Sequence, residues 1–157
     1  MSRYELRLLQ WSWGLMVDLE MSVHVADAKP PGAIPAAPQV WLVVNVASGW
    51  EGDTPQLLVG LRRVVPRFRA AVAADGGELV FVLHHLWYPL TDVQEGAIEL
   101  AVAGWAVEEL EPAEDPATVE YDRAAHRYVI NFDEGMWEAE SSRCRQRKRE
   151  RAGSGMT

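Results

Sequence analysis

The sequence predicts an α+β fold, a two-layer sandwich in which two helices cover one face of a mostly antiparallel sheet, followed by a C-terminal hairpin and a basic tail. Three observations carry this. Strand-like and helical runs follow one another as three strands, helix, strand, helix. Residues 15 to 25 alternate, with Leu15, Val17, Leu19, Met21, Val23 and Val25 set against Asp18, Glu20, Ser22 and His24. That is the period of a strand with one face on a core and the other toward water. The run Val40-Trp41-Leu42-Val43-Val44-Asn45-Val46, by contrast, is apolar almost throughout, as expected of a strand touched on both faces.

In chain order, Tyr4 to Trp11 reads as the neighbour of the alternating strand, with Ser12-Trp13-Gly14 as the turn or bulge between them. Ala26 to Pro38 holds Pro30, Pro31, Gly32, Pro35 and Pro38 and is expected to be a loop, because proline denies the backbone helix and ladder hydrogen bonds. Thr54 and Pro55 supply an N-cap and a preset first helical residue, and Leu57, Leu58, Leu61, Val65, Phe68 and Val72 recur at helical spacing behind them. Pro66 is expected to bend or divide this helix, and Asp75-Gly76-Gly77 to end it. Leu79 to Leu86 follows as a strand and Trp87-Tyr88-Pro89 as a turn. A second helix is expected from a cap at Asp92 to Leu110, with Ala97, Ala101 and Gly104 permitting close approach to the sheet. Thr118 to Tyr121 and Arg127 to Phe132 flank Asp122 to His126 as a hairpin.

A chain of 157 residues, 48% hydrophobic, suits one domain with a true core, here 1–134, and the segment 135–157 reads as a flexible tail. The formal net charge of -8 hides an asymmetry, since Arg143, Arg145, Arg147, Lys148, Arg149 and Arg151 cluster near the end against Glu150 alone. An acidic body argues against a large nucleic-acid footprint outside that tail, because phosphate contacts supply most of such affinity. The single cysteine, Cys144, cannot close an internal disulfide, and the first twenty residues lack the apolar stretch of a signal peptide. No apolar run approaches the roughly 18 to 20 residues of a membrane span. A cytoplasmic location is the expectation.

The run from Leu83 to Ala101, closing on Leu110-Glu111-Pro112, resembles part of domain IV of elongation factor G and the ribosomal protection proteins. Tyr88, Asp92, Glu95, Ala97, Ala101 and Leu110 to Pro112 match that family's strand end, Asp-Ser-Ser-Glu-like helix start, alanines and Leu-Glu-Pro closure. Pro89 stands where the family has histidine, the Gly-rich stretch before the strand is shortened to Gly76-Gly77, and no GTPase motif is present. The resemblance covers residues 38–112. It implies the ribosomal S5 domain 2-like sandwich and contact with the ribosome rather than catalysis.

Residues able to carry chemistry are few. Alternation along a strand sends His84 and His85 to opposite faces, which separates them as ligands of one metal. His24 and Asp18 share a strand face but lie six residues, roughly 20 Å, apart. Asp92 and Glu95 suit a capping box better than acid-base work. Cys144 among arginines gains thiolate character but has no positioned base. Gly76-Gly77 leads into a strand, so no phosphate loop is formed and neither nucleotide, metal nor other cofactor is expected.

Seven tryptophans remain to be placed. Trp41 and Trp105 fit core packing. Trp50, in a Gly-containing turn, and Trp87 and Tyr88, before Pro89, suit a protein partner, since aromatics dominate interface hot spots. The reading that follows is a non-enzymatic binding module, a small acidic protein-binding or immunity/inhibitor-type protein. A ribosome-associated factor using Arg143, Arg145, Arg147, Lys148 and Arg149 is the second reading. An enzyme with a site near His84, His85 and Asp92 is the third, and it requires one of those histidines to line a pocket beside Asp92.

Overall fold

Leu15, Val17, Leu19 and Met21 project from one side of a long strand into the core, while Met16, Asp18, Glu20 and Ser22 on the other side stay partly accessible. This strand, β2 (Trp13–Ala26), is antiparallel to β1 (Ser2–Gln10) through nine consecutive pairs from Ser2/Met21 to Gln10/Trp13. The structure, a computed structural model, describes residues 1–10, 12–47, 51–72, 76–110 and 117–132. Trp13 and Gly14 thus belong to the strand rather than to the turn that the sequence suggests.

The other strands are β3 (Ile34–Ala37), β4 (Val40–Val44) and β5 (Glu78–Trp87), and the sheet order is β1-β2-β5-β4-β3. Among the described strands only β4 and β5 run parallel, joined through helix α1 (Thr54–Val72). Strand β3 corrects the expectation of an unpaired loop from Ala26 to Pro38. It lies at the sheet edge, where a strand needs only half of a ladder and Pro35 is tolerated, and its register shifts between Pro35 and Ala37.

Helix α1 runs through Pro66 undivided. The ring removes one main-chain hydrogen bond, but Val64 and Val65 before it and Phe68 after it are anchored in the core. Helix α2 spans Ala97–Leu110, shorter at its start than the sequence suggests. Gly96 has φ 86°, outside the helical region, and Asp92 donates its N–H to the Pro89 carbonyl in a turn, so neither Asp92 nor Glu95 caps a helix. Both helices cover the face that carries Phe81. Phe68 of α1 meets Phe81 edge-on at 5.1 Å and stacks on Trp105 of α2 at 5.6 Å. Gly104 is needed for close approach, because a Cβ there would fall inside the Tyr4 ring of β1.

The hairpin β6 (Ala117–Asp122) and β7 (Arg127–Phe132) packs against the segment that leads into α2 and touches α1 at Arg63. The Gln94 amide donates to the Tyr128 carbonyl at 2.8 Å and accepts from its N–H at 2.9 Å, Gly96 abuts Ile130, and the Arg63 guanidinium lies 4.2 Å from the Phe132 ring centre. The architecture is the predicted α+β sandwich: five mostly antiparallel strands, two helices on one face, and a terminal hairpin.

Candidate functional site: the open face of the sheet

Opposite the helices lies a sheet face on which register and alternation place Arg3, Glu5, Arg7 and Leu9 of β1, Met16, Asp18, Glu20, Ser22 and His24 of β2, and Val80, Val82, His85 and Trp87 of β5. Asp18 is its electrostatic centre. Arg3 donates from Nε to Asp18 Oδ1 at 2.8 Å and from Nη2 to Oδ2, a two-point clamp across the β1–β2 pair. The Arg3 hydrogen bond holds the Asp18 carboxyl below its ordinary range, and the same contact raises the Arg3 guanidinium. His85 Nε2 approaches Asp18 Oδ2 from the β5 side at 3.5 Å.

The two histidines correct the alternation argument. Glu20 pairs with His85 and Met21 with Leu83, so His84 is an extra residue in β5, a bulge. His85 faces the open side with Glu20, and His84 reaches the same side, where its Nε2 shares a 2.8 Å hydrogen bond with Ser22 Oγ. Each imidazole thus engages its own partner on β2. Among the described residues no group of three or more His, Cys, Asp or Glu side chains is placed to hold a metal ion.

At the β4 side this face is closed. Trp41, which the sequence assigns to the core, instead lies on the face opposite the helices, half-buried; its Nε1 donates to Glu78 Oε2 at 2.5 Å, and the Lys29 ammonium sits 4.7 Å above the indole. Val80, its partner in register, is fully buried. At the other end the face is apolar and accessible. Trp87, opposite Asp18, is 51% exposed, and Leu9 at 75% and Leu90 at 87% flank the same end of the sheet.

Tyr88 turns the other way. Its hydroxyl donates to Oδ1 of buried Asp53 at 2.7 Å, and that bond, with burial, pushes the phenol up to about 12. Its ring packs against the core, so it pins the β5 end to the turn before α1 rather than facing outward. Asp92 sits against Gly14, and its carbonyl accepts the Met16 N–H at 2.8 Å. Gly14 and Glu20, the register partner of His85, are six residues apart on β2, roughly 20 Å, so neither histidine stands beside Asp92 as the enzyme reading requires. Trp50 and the tail residues Arg143, Arg145, Arg147, Lys148 and Arg149 lie outside the described residues.

A concavity of about 280 Å³ lies between Ser12, Trp13, Tyr121, Arg123 and His126, with Trp13 and His126 stacked at 5.7 Å. The sequence does not reveal it, because its walls come from the β1–β2 and β6–β7 hairpins, more than a hundred residues apart. No family model matches the chain, and no curated protein is similar to it in sequence. Among the described residues no helix is long and apolar enough to cross a membrane.

Proposed function

We propose that the chain is a non-enzymatic protein-binding module of the cytoplasm that takes its partner on the open sheet face, at the end carrying Trp87. The observation that carries this reading is the half-exposed Trp87 indole beside an ordered polar network. A large aromatic at a strand end, next to fixed charges, is the composition of an interface hot spot with its rim. The charges on this face are mixed, Arg3 and Arg7 against Glu5, Asp18 and Glu20, which suits a protein surface better than a phosphate backbone. The immediate neighbour Tyr88 serves the fold through Asp53, so Trp87 and not Tyr88 is the contact residue.

The test is a pull-down from native cytosol with wild-type and Trp87→Ala baits of equal thermal stability. Proteins recovered by the first and lost by the second support the reading. Identical recovery contradicts it. A ribosome-associated role, the second reading, would show ribosomal proteins in both and a steep loss between low and moderate salt that depends on Arg143, Arg145, Arg147, Lys148 and Arg149.

A further inference from the structure

The two edges of the sheet are built differently. Edge β3 has four residues, contains Pro35 and shifts register, all features that discourage further pairing. Edge β1 has nine residues, no proline, no bulge and nine regular pairs on its inner side, and no described residue pairs with its outer side. A strand of this regularity can offer its outward N–H and C=O groups to a further strand.

We propose that β1 pairs antiparallel with β1 of a second copy of this chain, centred on Leu6, to give one continuous ten-stranded sheet. The partner follows from the side chains. About Leu6 a two-fold axis sets Ser2 opposite Gln10, Arg3 opposite Leu9, Tyr4 opposite Leu8 and Glu5 opposite Arg7, and uses the whole strand. No like charges meet, and Glu5 meets Arg7 twice per dimer. Those two side chains are exposed and already held together along the strand, Arg7 Nη2 to Glu5 Oε2 at 3.0 Å, so pairing exchanges one ion pair for an equivalent one. On the opposite side of the sheet, half-buried Tyr4 and Leu8 become covered by each other, and the helices of both copies fall on the same face. Pairing centred on Tyr4 also matches Arg3 with Glu5 but uses only five residues, and pairing centred on Glu5 sets it against itself. The Trp87 region lies two strands inward and stays free.

Sedimentation velocity of the full chain over rising concentration tests this, with circular dichroism to confirm that each variant folds. The wild type is expected to dimerise. Arg7→Glu and Glu5→Arg should each weaken the dimer by about tenfold or more, since each replaces two opposite-charge pairs by two like-charge pairs. Combining the two exchanges the charges and should restore it. A wild type that remains monomeric, a dimer indifferent to Arg7→Glu, or a double variant that fails to recover would each overturn the proposal.

Discussion

Ser22 Oγ and His84 Nε2 share a 2.8 Å hydrogen bond between β2 and β5, and they do so because His84 is the extra residue of a bulge. Without the bulge, strict alternation from Leu83 would send His84 outward, His85 inward, Leu86 outward and Trp87 into the core. With it, Leu86 pairs with Leu19 and Trp87 with Asp18, which puts the leucine on the core face and the tryptophan on the open one. One inserted residue therefore determines whether the candidate interface exists.

Deleting one of the two histidines should accordingly be tolerated. The shortened strand alternates correctly, with the remaining histidine outward, Leu86 inward and Trp87 outward. The loss should stay within about 1.5 kcal/mol, the scale of one hydrogen bond. Deleting Leu86 instead carries Trp87 onto the core face and should cost several times more. Urea unfolding of the two deletions measures the difference, and equal costs would show that the bulge does not set the register.

Core truncation should be severe in both helices. Leu61 of α1 and Leu100 of α2 are almost fully buried, and changing either to alanine should cost about 2 to 5 kcal/mol in chemical denaturation. The spread between the two reports how far each site can collapse.

The Tyr88–Asp53 contact predicts alkaline behaviour. Its phenol is raised from the ordinary 10.0 to about 12, so the neutral form is favoured by folding. A group raised in the folded state contributes stability that is complete below pH 10 and is lost as pH rises toward 12. Tyr88→Phe should lower stability at neutral pH by about 1.5 to 3 kcal/mol, through the lost hydrogen bond to the buried Asp53 carboxylate, and should flatten the fall in Tm between pH 10 and 12. Burial also raises Tyr128, so part of that fall should remain.

Features set by contacts close in sequence were legible: the alternation of β2, the apolar run of β4, the Thr54-Pro55 start of α1 and the hairpin around Asp122 to His126. Two local features misled. Pro35 concealed a strand because its consequence depends on whether the strand is an edge, and Asp92 resembles a cap unless the left-handed Gly96 is known to interrupt the chain. The candidate site was the least legible part. Trp87 stands at the end of a strand, as its place before Tyr88 and Pro89 suggests, but its face depends on a bulge that only pairing with β2 reveals, and Tyr88 finds Asp53 from 35 residues away. His84 and His85 share a face for the same non-local reason.

The most direct measurement is a paired one on Trp87→Ala: thermal stability and the dissociation constant for the protein recovered on the wild-type bait. An indole that faces a partner predicts a Tm close to wild type and binding weaker by at least about 1 to 2 kcal/mol. A lowered Tm with unchanged affinity would show that Trp87 serves as a lid on the sheet, and the open-face interface would be wrong.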